Sequence, residues 1–163
     1  MIRDLDEKGV HMNFEEQLVE LQEANRKDML RLLKHLQLNT EEDLRPAIES
    51  YVKNQMLKVW RCIGSEQETR DASKLVEILW DEMGGEVGME FSKTVTEEGI
   101  QIECTYCPFV ELSKEHADAD IGFSYYCSAD PHIVKGFNPE LKFERTQTLM
   151  EDHKICNHFY PFK

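Results

Sequence analysis

The sequence predicts an α+β fold: N-terminal helices, namely a long helical hairpin plus a third helix, packed with a mostly antiparallel four-stranded sheet that carries inserted short helices. Three observations lead there. Apolar residues recur at steps of three and four through the first half, period-two alternation replaces them after Gly85, and the pair Gly84-Gly85 marks the change. At 163 residues, 40% hydrophobic and 31% charged, the chain has the size and composition of one globular domain. A chain this long buries roughly two-thirds of its unfolded surface, so its core needs neither disulfides nor a metal. The expected organisation is a flexible N-terminus over 1–12 and a single domain over 13–163, helical from 13 to 84 and sheet-bearing from 85 to 163.

The elements follow in order. Phe14, Leu18, Leu21, Asn25, Met29, Leu32 and Leu36 fall on one stripe of a helix over 14–38. A second helix is expected from Thr40, where Thr40 and Asp43 resemble a capping box, with Leu44, Ile48, Tyr51, Gln55, Val59 and Ile63 as its apolar stripe to Gly64. Pro46 is compatible only with the first turn of that helix. The two would form an antiparallel hairpin through Leu38-Asn39-Thr40. A third helix over 68–83 should stop at Gly84-Gly85, with Trp60 and Trp80 as packing residues. Strands are expected at 86–95 and 100–106 around a turn at Glu97-Glu98-Gly99, helices at 108–117 and 121–136, and a turn at Gly136-Phe137-Asn138-Pro139. Strands over 141–149 and 155–162, the latter anchored by Phe159 and Phe162, would complete the sheet.

Charge removes one class of function. Nineteen Lys and Arg stand against 32 Asp and Glu, a net of −13, and the acid excess holds on both sides of Gly99. Binding to nucleic acid depends on neutralising phosphates, which this surface would repel. The one basic cluster, Arg26, Lys27, Arg31 and Lys34, reads as a solvated helix face. The polar first eight residues have no apolar signal core, and no stretch reaches the ~20 apolar residues of a membrane span. Five cysteines cannot all pair within one chain. A reducing cytoplasm, with thiols or metal ligands and no membrane partner, is the expected setting. The apolar stripes of the two long helices exceed what a small sheet covers and offer a homodimer interface.

Chemistry concentrates between 104 and 158. Cys104-Thr105-Tyr106-Cys107 gives two thiols at a spacing that could wrap a metal, with Cys127, Cys156 or His158 completing four ligands for zinc or another transition metal. That reading needs a bend at Tyr106, because regular strand geometry would point Cys104 and Cys107 to opposite faces. In a second reading Cys107, followed by Pro108 at a helix start, is a nucleophile whose thiolate the helix dipole favours, with Asp130 and His132 as the nearest bases by type. In a third the cysteines are buried apolar residues, the expectation for Cys62. His11 and His35 are expected at the surface.

The ordered series Cys107-Pro108-Phe109, Cys127-x-x-Asp130, Gly136-Phe137-Asn138-Pro139, Phe143-Glu144-Arg145-Thr146-x-Thr148-Leu149, Asp152 and Cys156 resembles the L-2-amino-thiazoline-4-carboxylic acid hydrolase family over about residues 100–160. The resemblance implies a small-molecule substrate and hydrolytic opening of a cyclic amidine-like thiazoline carboxylate to an N-carbamoyl-cysteine. Such a reaction needs a nucleophile or activated water at the ring carbon between N and S, a proton donor for the ring nitrogen, and a cation for the carboxylate. On this chain those roles would fall to Cys107 or Cys127 as nucleophile, Asp130 as acid/base and Arg145 as carboxylate holder. An exposed Arg145 paired with Glu103 is the bland alternative, and a non-catalytic ligand-binding or metal-binding sensory domain is the functional one. The family commonly places Gly-Asp before its last cysteine. Here the residues are Glu151-Asp152, so a turn without positive φ is expected.

Overall fold

The computed structural model describes residues 13–162; the expectations for 1–12, His11 included, lie outside them. The long helix α1 (Phe14–Leu38) begins at a full capping box, in which Asn13 and Glu16 each accept the other's backbone N–H at 2.9 Å. Its core contact is not the stripe of the 14–36 series. Leu30 alone on this helix is fully buried, with Leu33 half-buried, whereas Phe14, Leu18, Leu21, Met29, Leu32 and Leu36 face outward.

Helix α2 (Arg45–Ser65) starts five residues later than Thr40 suggested. Pro46 fixes the start, since it fits only the first turn, and Thr40 and Asp43 instead accept the Glu42 and Arg45 amides in the connecting loop. Its buried face runs through Ile48, Val52, Trp60 and Gly64, so Tyr51 and Val59 of the expected stripe are exposed. The two helices do not lie along each other as a hairpin. Helix α1 rests on α4 (Pro108–His116) and α5 (Ala119–Tyr125), and α2 rests on α5 and α6 (Asp130–Phe137). Gly136 lies inside α6 rather than in a turn: a Cβ there would stand 2.9 Å from that of Trp60, and one on Gly64 would stand 2.4 Å from the Phe137 carbonyl oxygen. These two glycines let α2 and α6 pack at backbone distance. The turn itself begins at Asn138, whose side-chain amide donates to the Arg70 carbonyl at 2.7 Å.

Helix α3 (Ala72–Val76), capped by Asp71, passes without a break into a π-helical stretch, Glu77–Gly84. Gly84-Gly85 does not end it. The chain turns at Gly88, the glycine with positive φ at +80°. The widened turns set Ile78 and Trp80 inward, and Trp80 Nε1 donates to the Tyr160 hydroxyl at 2.9 Å.

Strands β1 (Glu90–Val95), β2 (Gly99–Tyr106) and β3 (Cys156–Pro161) form an antiparallel sheet in the order β1-β2-β3. Among the described residues it has three strands, not four. The segment expected as a fourth strand, 141–149, touches β3 through one bridge, Glu144 to Phe159, and then leaves the ladder because Asn157 Oδ1 takes the amides of Thr146 and Gln147 at 3.0 and 2.6 Å. A side chain thus takes the amides that would continue the pairing, and the one further backbone bond, from the Asn157 amide to the Gln147 carbonyl at 3.2 Å, is a residue out of register with the bridge. On β2 the inward residues are Ile100, Ile102 and Cys104, and on β3 they are Cys156, His158 and Tyr160 rather than Phe159 and Phe162. One face of the sheet is packed and the other solvated, as antiparallel sheets allow. The stretch expected as one helix over 121–136 breaks at Tyr126 into α5, a single 3-10 turn at Cys127–Ala129, and α6 with Pro131 in its first turn.

Candidate functional site

Four of the five cysteines, at the end of β2, on β3 and at the 3-10 turn, lie within the electrostatic reach of one carboxylate, Asp130. Cys104 and Cys156 are directly opposite each other on β2 and β3, both buried. The Cys104 thiol donates to the Tyr106 carbonyl at 3.1 Å, and Cys156 Sγ accepts the Leu149 amide at 3.1 Å. Cys107 is the N-cap of α4 in extended backbone, half-buried, with Pro108 behind it. Cys127 opens the 3-10 turn three residues before Asp130. A charged Asp130 disfavours the thiolate at all four, which puts them in its electrostatic neighbourhood without grouping them in contact. Strand β2 ends at Tyr106, one residue before Cys107.

Burial governs the chemistry of these groups. It pushes the Cys104 thiol up to about 12 and Cys107 to about 11, and it raises Cys127 and Cys156 as well. At Cys107 the amides of Phe109 and Val110 pull the other way, as a helix start should, but they make no cap hydrogen bond to the sulfur and burial prevails. All four are therefore thiols, not thiolates, at neutral pH. Cys62 is exposed on α2 rather than buried.

Asp130 and Arg145 form the polar centre. Arg145 Nη1 donates to Asp130 Oδ2 and, at 2.9 Å, to the Cys127 carbonyl. Their side chains are 12% and 21% exposed for Arg145 and Asp130, so the pair is sheltered yet open to solvent. Burial lifts the Asp130 carboxyl to about 6 even against the charge and hydrogen bond of Arg145. Arg145 pairs with Asp130, not with Glu103. Its guanidinium lies 5.5 Å over the Phe123 ring. Among the described residues only its Nη1 is hydrogen-bonded, and its other N–H groups are not among the buried atoms left without a partner, so they reach solvent.

His158 stands on β3 with Nε2 4.0 Å from Asp130 Oδ2, between the rings of Trp80 and Phe143. Burial and the Arg145 charge hold it down to about 3, so the ring is neutral, and its Nδ1 is buried without a partner. His132 lies toward Lys53 on α2, and burial and that charge lower it; the structure does not bring it to the thiols. Among the described residues no three His, Cys, Asp or Glu side chains are grouped to hold a metal ion, so Cys104, Cys107, Cys127, Cys156 and His158 do not fit a zinc centre as they stand. No described helix is long and apolar enough to cross a membrane.

Two aromatic residues complete the site without having been singled out from the sequence. Phe123 carries the guanidinium, and Tyr126 stacks on Phe109 at 4.6 Å with its hydroxyl buried and unpartnered. The run Phe123-Ser124-Tyr125-Tyr126 ahead of Cys127 was the available signal. A cleft of about 550 Å³ has Phe123 in its wall, with Asp43, Glu49, Asp120, Glu151, Asp152 and Arg45. Arg45 is engaged by Asp43 and Asp120, which leaves that cleft repulsive to a carboxylate.

Asp152, at φ 63°, is the non-glycine residue with positive φ among the described residues. The turn before Cys156 therefore keeps the left-handed conformation that the missing glycine was expected to remove, at an aspartate, which tolerates it better than most residues.

A family model described as L-2-amino-thiazoline-4-carboxylic acid hydrolase matches residues 19–160. No curated protein and no solved structure matches the chain.

Proposed function

Because the chain belongs to the L-2-amino-thiazoline-4-carboxylic acid hydrolase family, we propose that it is a hydrolase opening a small cyclic amidine carboxylate, with Asp130 as acid/base and Arg145 as the carboxylate anchor. The observation that carries this reading is the sheltered Asp130–Arg145 pair, whose carboxyl sits at about 6. A general base works best with a pKa near the operating pH, and at pH 7 Asp130 is ionised without being a weak base.

In the reaction with the thiazoline carboxylate, Asp130 takes a proton from water as its oxygen bonds to the ring carbon between N and S. The C–S bond of the tetrahedral adduct then breaks. One proton goes to the ring nitrogen and one to the departing sulfur, giving N-carbamoyl-cysteine, and the net change is one water consumed. The solvent-facing N–H groups of Arg145 offer the substrate carboxylate a charge-assisted pair of hydrogen bonds. Tyr126, whose buried hydroxyl has no partner, is the candidate donor for the ring nitrogen.

Direct attack by water is favoured over attack by a cysteine for two reasons. The thiols are held protonated by burial, and a thiol attacking this carbon only exchanges one C–S bond for another. Cys107 as nucleophile is the second reading, supported by the Phe109 and Val110 amides that favour its thiolate. The two separate on Cys107→Ser. Water attack leaves turnover within a few-fold of the parent, whereas a covalent route loses at least roughly 1,000-fold. A folded protein at high concentration that releases no thiol from the thiazoline carboxylate removes the proposed substrate.

A further inference from the structure

The outward stripe of α1 has a symmetry that its own chain does not use. Phe14, Leu18, Leu21, Asn25, Met29, Leu32 and Leu36 are arranged so that each position n has a counterpart at 50 − n: 14 with 36, 18 with 32, 21 with 29, and Asn25 with itself. Phe14 is 78% exposed, Leu18 43%, Leu21 58%, Met29 38%, Leu32 50% and Leu36 46%, and Asn25 is exposed among them. From these observations we propose that α1 pairs antiparallel with α1 of a second copy of this chain, about a twofold axis passing beside Asn25.

Three features fit this occupant. The stripe repeats every 11 residues, as in Phe14, Asn25 and Leu36, a period of about 3.67 that tracks one face of a straight helix over about 33 Å. Charge adds only a long-range preference. Residues 14–25 carry Glu15, Glu16, Glu20 and Glu23 and no base, while residues 26–38 carry Arg26, Lys27, Arg31 and Lys34 against Asp28. An antiparallel pair lays the acidic half of each helix along the basic half of the other and a parallel pair like on like, although Lys27, Arg31 and Lys34 are already paired with Glu23, Asp28 and Asp118 and most of these charges lie away from the stripe. Asn25 then meets its own copy, and an amide, being both donor and acceptor, is self-complementary there and penalises shifted registers. The six apolar side chains expose roughly 600 Å² per chain, so a pair buries at most on the order of 1,200 Å² of them, the lower edge of specific interfaces.

The test is sedimentation of the full chain at micromolar concentrations, alongside Leu21→Glu/Leu32→Glu, whose exposed positions leave the fold intact by circular dichroism. In a Cys62→Ser background, Asn25→Cys is oxidised alone, and Phe14→Cys is oxidised alone and mixed with Leu36→Cys. The expected results are a mass about twice the 19.1 kDa of the chain, its return to one chain in the double glutamate variant, disulfide-linked dimers of Asn25→Cys, and linkage of Phe14→Cys only when Leu36→Cys is present. A monomeric parent at every concentration overturns the proposal. So does a dimer indifferent to the glutamates, or one in which Phe14→Cys links to itself.

Discussion

Arg145 reaches from the segment beside β3 to Asp130 at the start of α6, and the same Nη1 also holds the carbonyl of Cys127. One guanidinium thereby fixes the 3-10 turn, the first turn of α6 and the carboxyl with raised affinity for its proton. Replacing it with Ala leaves Asp130 in a poorly solvated place without its cation. Arg145→Ala is expected to cost about 3 kcal/mol in urea unfolding, the low end for breaking a sheltered pair. Arg145→Lys keeps the charge but loses the planar fork, and KM for the carboxylate substrate should rise by on the order of 10-fold. A stable, fully active Arg145→Ala would contradict both roles.

The pH dependence of stability separates Asp130 from His158. Folding raises Asp130 from 3.8 to about 6, so between those values the folded chain keeps a proton that the unfolded chain gives up, and this contribution to stability is lost as pH rises. Folding lowers His158 from 6.5 to about 3, so stability is lost as pH falls below 6.5. The His158 window is the wider. Asp130→Asn should therefore steepen the loss of urea midpoint between pH 6.5 and 4, and His158→Phe should flatten it. Identical slopes in the two variants would refute the assignment.

Thiol accessibility gives a check independent of activity. At neutral pH one thiol per chain, the exposed Cys62, should react rapidly with a chromogenic disulfide reagent, and Cys62→Ser should abolish that phase. Cys107 and Cys127, half-buried and raised, should follow slowly, and Cys104 and Cys156 only on unfolding. A fast phase that survives Cys62→Ser would mean a thiolate in the site.

The contact of α2 with α6 carries a stability prediction. Gly64→Ala would bring a methyl group against the Phe137 carbonyl oxygen, a backbone atom with no rotamer to yield. The expected loss is about 1–3 kcal/mol by thermal or urea unfolding. An unchanged midpoint would mean that the two helices stand further apart.

The sequence was informative where a residue's own chemistry decides the outcome. Pro108 after Cys107 marks the start of α4, and the alternation of Ile100, Ile102 and Cys104 gives the inward face of β2. It misled where a partner decides. The regular stripe of α1 left open whether it packs on its own chain or on a second copy, and it faces out, because α1 packs on α4 and α5 through Leu30 and Leu33 and periodicity cannot tell an inner face from an outer one. The fourth strand is reduced to one bridge and one out-of-register backbone bond, where the Asn157 side chain takes the amides of Thr146 and Gln147. In the site, Asp130, Cys107, Cys127 and Arg145 were visible by type and order. The arginine's engagement with Asp130, the Phe123 platform and the free Tyr126 hydroxyl depend on contacts between distant segments, which spacing does not reveal.

The most direct measurement is the steady-state release of thiol from L-2-amino-thiazoline-4-carboxylate by the parent protein and by Asp130→Asn across pH 5–8. The account predicts that the parent gains activity with rising pH through about 6, as the Asp130 carboxyl ionises, and that Asp130→Asn, folded, falls by roughly 100-fold or more at every pH. Equal turnover by the two proteins, or a parent profile with no limb near 6, would contradict it.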